Sequence, residues 1–183
     1  MPASNSTERY SAVIQALHWT TVILVLLAWG IGIGGDALPR AVQGPAWFIH
    51  MNAGVAVIVL TALRLGWRSS SPSPAPLGHA GPMGSLLGLG AKLTHAALYI
   101  LLLAVPVLGI MVQFARGRGV PVLGLFEIAS PWVPDRAFAR TVFGVHELAA
   151  HTLLALAGLH AATALVRHFI LRDRTLARML PGR

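Results

Sequence analysis

Four stretches of this chain, about Ile14 to Gly34, Pro45 to Trp67, Gly90 to Ala115 and Thr141 to Leu171, are long, apolar and almost free of charge. Each is at least as long as the roughly 20 residues an α-helix needs to cross the hydrocarbon core of a bilayer. In that medium every backbone N–H and C=O must find its partner within the protein, and only helices and closed barrels achieve this. The expected fold is therefore all-α, a transmembrane four-helix bundle occupying residues 1–183 as one domain. Composition agrees: 55% hydrophobic residues and 11% charged, with a mean hydropathy of +0.68, are too apolar for a soluble domain of this size. Arg9 ahead of the first stretch and small residues near its end resemble a secretion signal, but the length of the stretch and the histidine within it favour a retained helix.

The connectors read as punctuation. "GGDALPR" ends the first helix, and "RSSSPSPAPLGHAGPMG" is a surface loop rich in Pro, Ser and Gly. Pro106 is expected to bend the third helix. "RGRGVPVLGLFEIASPWVPDRAFAR" reads as a loop with a short interfacial helix around Val122 to Ile128. Of the 14 basic residues, nine (Arg9, Arg64, Arg68, Lys92, Arg167, Arg172, Arg174, Arg178, Arg183) fall on the side of the amino terminus and five (Arg40, Arg116, Arg118, Arg136, Arg140) on the other. That asymmetry places both termini in the cytoplasm, and the protein as a multi-pass membrane protein. Trp19, Trp29, Trp47, Trp67 and Trp132 lie near expected helix ends, as an aromatic belt requires. The basic balance, net +8, thus reads as topology and lipid-headgroup contact, with no nucleic-acid partner. Without cysteine there is no thiolate metal site, iron–sulfur cluster or covalently attached haem, so any metal is held by nitrogen or oxygen.

Histidine carries the chemistry. A polar ring within a spanning helix is costly unless it is paired, and four of the eight histidines fall at matching depths. His18 is near the start of the first helix, His50 near the start of the second, and His146 and His160 both lie on the fourth. A spacing of fourteen residues amounts to nearly four turns and a rise of about 21 Å, so His146 and His160 face a similar side at different depths. Helix direction then pairs His18 with His160 at the inner level and His50 with His146 at the outer. Two facing imidazoles can ligate a porphyrin iron from both sides and leave no open position, which suits electron transfer. The competing reading, in which each ring only hydrogen-bonds to a neighbouring helix, explains one such histidine more easily than four. Arg9, Arg68, Lys92 and Arg167 stand where they can neutralise inner propionates, and Arg40, Arg136 and Arg140 outer ones; headgroup binding is the plainer role for any single arginine. Glu147 is a candidate to orient His146. His95 is a candidate for a propionate or quinone contact, while His79, His151 and His168 are assigned no site.

The stretches "RYSAVIQALHW", "FIHMNAGVAVIVLTALRL", "THAALYILLLAVPVLGIM" and "FGVHELAAHTLLALAGLHAATALVRHFILRDRTLARMLP" resemble the bacterial cytochrome b561 family of four-helix, two-haem inner-membrane proteins. The resemblance spans nearly the whole chain, and "RDRTLARMLP" is its most specific block. It implies that His18, His50, His146 and His160 are axial ligands of two non-covalent b-type haems. It also implies electron transfer involving ubiquinone, since one member of the family oxidises superoxide at the outer face and reduces ubiquinone in the membrane. On that pattern Arg116, Arg118, Arg136 and Arg140 steer the anion, and Lys92, His95 and Arg9 are candidates for the quinone or a propionate. A related scaffold anchors hydrogenase and formate dehydrogenase complexes, which would make a periplasmic redox subunit the partner. A transporter or structural membrane protein without haem is the alternative from another class.

Overall fold

The computed structural model describes residues 9–71 and 82–180. Four helices are long and apolar enough to cross a membrane: α1 (Ala12–Gly34), α2 (Arg40–Ser70), α3 (Pro82–Ala115) and α4 (Arg136–Phe169). A 3-10 turn, Gly35–Ala37, follows α1, and two short strands, β1 (Val120–Val122) and β2 (Phe126–Ile128), lie between α3 and α4. His79 and most of the loop expected after α2 fall outside the described residues.

All four helices start earlier than expected, α1 by two residues and the other three by five or more. α2 begins at Arg40 and runs through Pro45; the proline removes one N–H from the ladder, and the helix absorbs that loss. α3 opens on Pro82, where a proline's missing N–H would have been unpaired anyway. At α4 the Asp135 carboxylate accepts from the amides of Ala137 (2.9 Å) and Phe138 (3.0 Å), an N-cap that starts the helix at Arg136. Arg136 and Arg140 therefore stand on the first turns of α4, and not in a loop. α3 stays helical through Pro106.

The short helix expected around Val122 to Ile128 is a β-hairpin. Val120 pairs with Ile128 and Val122 with Phe126, and the turn places Leu123 (φ 52°) and Gly124 (φ 72°) in left-handed conformations that close a hairpin and break a helix. Gly124 supplies that conformation at no steric cost. The turn docks on α2: the Asn52 side chain accepts from the Leu123 amide at 2.6 Å and donates to the Phe48 carbonyl at 2.8 Å.

α1 packs on α2, α3 on α4, and α2 on α3. The apolar centre is Val57, Leu102 and Leu153, flanked by Leu24, Val25, Leu98, Leu101 and Val105. Many other large apolar side chains point outward, with Ile23 63%, Ile100 66% and Leu148 70% exposed. In water so much exposed apolar surface would drive association; in a bilayer it is the face presented to lipid. After α4 the chain reverses at Arg172 (φ 53°) and returns to the start of α1. There Asp173 pairs with Arg167 at 2.7 Å. Burial pushes the Asp173 carboxyl up, but hydrogen bonds from Thr175 and the Arg167 guanidinium outweigh it and hold it below its usual range.

Asn52→Ala should leave the Leu123 amide without its acceptor and destabilise the hairpin by about 1–3 kcal/mol. Hydrogen exchange should then quicken at residues 120–128 and stay unchanged at the centre of α3.

Candidate functional site

The end of the bundle beneath the hairpin holds His50 and His146, each half-buried. Their ring centroids are 6.3 Å apart. Each ring is fixed by the helix beside it. His50 Nδ1 lies 2.8 Å from the Ala28 carbonyl of α1, and His146 Nδ1 lies 2.9 Å from the Val105 carbonyl of α3. A carbonyl only accepts, so in each ring Nδ1 carries the proton and Nε2 keeps its lone pair.

One turn beyond each carbonyl stands a glycine. A Cβ on Gly32 would lie 3.5 Å from His50 Cε1, and a Cβ on Gly109 would lie 3.2 Å from His146 Cε1. The same device thus occurs twice: a ring from α2 against α1 and a ring from α4 against α3, each seated in a notch made by a carbonyl and the glycine four residues later. Trp47 packs edge-on against His50, with centroids 5.4 Å apart.

These residues fit a metal held between two imidazoles. With metal–nitrogen bonds of about 2.0–2.1 Å, two opposed rings have centroids roughly 6 Å apart. A ligating histidine typically donates its other N–H to a carbonyl or carboxylate, which sets both tautomer and orientation. Glu147 was the sequence candidate for that orienting role at His146. The Val105 carbonyl occupies it, while the Glu147 side chain is exposed and its backbone carbonyl lies 2.7 Å from His151 Nδ1.

The opposite end, which carries the described ends of the chain, is arranged differently. His160 packs edge-on against His95 with centroids 5.1 Å apart. The Arg64 guanidinium donates to His18 Nδ1 at 3.1 Å and lies over the Tyr99 ring at 5.6 Å. With Nδ1 accepting, the neutral His18 ring carries its proton on Nε2, the reverse of the state found at His50 and His146. A pocket of about 60 Å³ opens beside these groups, lined by Tyr10, Ser11, Ile14, Arg64, Arg68, Ser71, His95 and Met179.

Of the remaining basic candidates, Lys92 is exposed three residues before His95 and does not line the pocket. Arg9 is exposed next to the lining residue Tyr10. Arg167 is committed to Asp173. At the hairpin end Arg116, Arg118, Arg136 and Arg140 are all exposed, and Arg116 lies over the Phe143 ring at 5.5 Å.

Sequence reading missed Gly32, Gly109, the two backbone carbonyls and Arg64. The glycines were visible in "GIGIGG" and "PVLGIM", but only the packing shows which ring each one admits. Arg64 was counted as a topology charge although it sits against a histidine.

A spanning bundle with paired histidines between its helices fits the class of membrane redox proteins, and comparison with known proteins supplies the family. The prokaryotic cytochrome b561 family matches residues 9–182, and the chain belongs to it. The chain is 34% identical over 177 residues to a probable superoxide oxidase, CybB, of Yersinia pestis, covering 95% of this chain and 97% of that protein. It is 31% identical to cytochrome b561 homolog 2 of Escherichia coli (98% and 95% covered). It is also 30% identical to a cytochrome b562 of Cereibacter sphaeroides (95% and 96% covered). Membership implies b-type haem as cofactor, and with the four spans it makes the chain a multi-pass inner-membrane protein.

Gly109→Ala forces its methyl on a ring that cannot retreat without losing Val105. It should cost about 1–3 kcal/mol by overpacking, read as a lower thermal midpoint in detergent. Gly32→Ala has room and should be neutral or up to about 1 kcal/mol more stable.

Proposed function

We propose that this chain, acting as one unit, is a di-haem b electron-transfer protein that oxidises superoxide at the hairpin end and reduces ubiquinone at the end carrying the termini. The hairpin end is placed in the periplasm and both termini in the cytoplasm. The observation that carries the reading is the His50–His146 pair, with centroids 6.3 Å apart and both Nδ1 atoms engaged by backbone carbonyls. When bound, b-type haem supplies one-electron redox chemistry. His50 and His146 are assigned to the outer group, and His18 and His160 to the inner.

At the inner site the chain's own groups must rearrange. Ligation through His18 Nε2 requires the proton to sit on Nδ1, which releases Arg64. A guanidinium freed at that level suits a carboxylate such as a propionate, with Arg68 beside it. His95, which lines the pocket, is assigned to a ubiquinone carbonyl, with Lys92 and Arg9 at the margin of that site.

Superoxide as donor is supported by the name of the Yersinia pestis relative and by the charge of the hairpin end. Arg116, Arg118, Arg136 and Arg140 are all exposed near the hairpin, and their positive charge would raise the local concentration of a small anion. No side chain is required to bind the anion at the metal.

The decisive measurement is a redox-titrated visible spectrum with haem quantification on the purified protein. Two low-spin b haems per chain, reduced by superoxide and reoxidised by ubiquinone, are expected; one haem, or two that superoxide leaves oxidised, overturns the proposal. His18→Ala and His160→Ala should abolish one and the same centre, and His50→Ala and His146→Ala the other. The double variant Arg118→Gln/Arg136→Gln should slow reduction by superoxide several-fold at low salt and flatten its dependence on ionic strength.

A further inference from the structure

The block "RDRTLARMLP" has been assigned no chemical role so far, yet its backbone is bonded to the turn of α1 that carries His18. After reversing at Arg172, the segment is held in shape by contacts at both of its ends. The Arg167–Asp173 pair (2.7 Å) and the Thr175 amide on Asp173 (2.8 Å) fix its start. The Arg178 amide on the Arg174 carbonyl (3.0 Å) and the Met179 amide on the Leu176 carbonyl (2.9 Å) fix its end.

Two of its carbonyls then collect donors from the beginning of α1. The Arg178 carbonyl accepts from the Tyr10 amide at 3.1 Å and from Gln15 Nε2 at 3.3 Å. The Met179 carbonyl accepts from Trp19 Nε1 at 2.9 Å. Gln15, only 7% exposed, also donates to the Tyr10 carbonyl at 3.0 Å, so one amide clamps the tail to the start of the helix.

Residues three and four apart share a helix face. Gln15, His18 and Trp19 thus form one contiguous patch on α1, and two of the three are tied to the tail. The Trp19 ring meets His18 edge-on with centroids 5.3 Å apart.

We infer that the segment Asp173–Leu180 is a positioning element of the inner site: by fixing Gln15 and Trp19 through its carbonyls at Arg178 and Met179, it sets the seat of the His18 ring. These carbonyls do for His18 at one remove what Ala28 and Val105 do directly for His50 and His146. The inference rests on the reading of His18 as a haem ligand.

The test uses the haem-loaded full-length protein, Trp19→Phe, and a chain ended after Leu171. Trp19→Phe removes the N–H that reaches Met179 and keeps a ring beside His18, so it probes the link without removing the tail. The readouts are the low-spin ferric electron paramagnetic resonance spectrum and the two haem midpoint potentials. In both variants, one signal should shift its g-values and one potential should move, and that centre should be the one lost in His18→Ala. The other centre should keep its wild-type values.

Wild-type values for both centres in Trp19→Phe, with or without a lower melting temperature, would overturn the inference and reduce the tail to a stabilising strap. Equal shifts at both centres would overturn it too. A wild-type protein without two low-spin signals would overturn the haem reading itself, and the inference with it.

Discussion

The structure depends on a hydrogen bond between an imidazole Nδ1 and a backbone carbonyl that already belongs to a neighbouring helix. A bare imidazole between spanning helices is costly in hydrocarbon, and a rotating one is useless as a ligand. Bonding Nδ1 to the carbonyl of Ala28 or Val105 removes the cost and fixes the ring in one step. It also determines which nitrogen remains available. The helices must come close enough for that bond, and a glycine stands one turn past each carbonyl, although only at Gly109 would an added methyl crowd the ring.

This constraint explains the arrangement of the helices. α1 packs on α2 and α3 on α4, and each of those pairs contains one ring seated in one notch. The apolar centre around Val57, Leu102 and Leu153 separates the two histidine levels. With so little side-chain surface buried in the core, the bundle relies on close helix contact and internally satisfied polar groups, as expected where lipid removes the hydrophobic drive between helices. Segments outside the four helices complete the ends: the hairpin docks through Asn52 at one, and the returning segment after α4 docks through Gln15 and Trp19 at the other.

The two levels differ in the charge near their histidines. His50 and His146 face neutral carbonyls, whereas His18 faces the Arg64 guanidinium, with Arg68 lining the adjacent pocket. A cation beside an imidazole and an amide carbonyl beside an imidazole favour opposite tautomers. The two sites therefore differ in how readily they present a lone pair and in which anionic groups they attract.

The sequence by itself determined the class of fold and the shared level of His50 and His146. Spanning length and helix direction are one-dimensional quantities, and they placed His50 level with His146 before any contact was known. The hairpin escaped because a short apolar run carries no period, and its direction is set by left-handed backbone at Leu123 and Gly124. The early starts of α2 and α4 escaped because Pro45 was read as a boundary, and because Asp135 caps through bonds that three-residue spacing only hints at. Only the tertiary structure decided which carbonyl orients each ring, which glycine lies beside it, and that Arg64 and the C-terminal segment belong to the end of the bundle that holds His18. Those contacts join residues from 18 to 168 positions apart, and no local pattern encodes them, because backbone carbonyls are the same at every residue and differ only in what the packed helices bring to them.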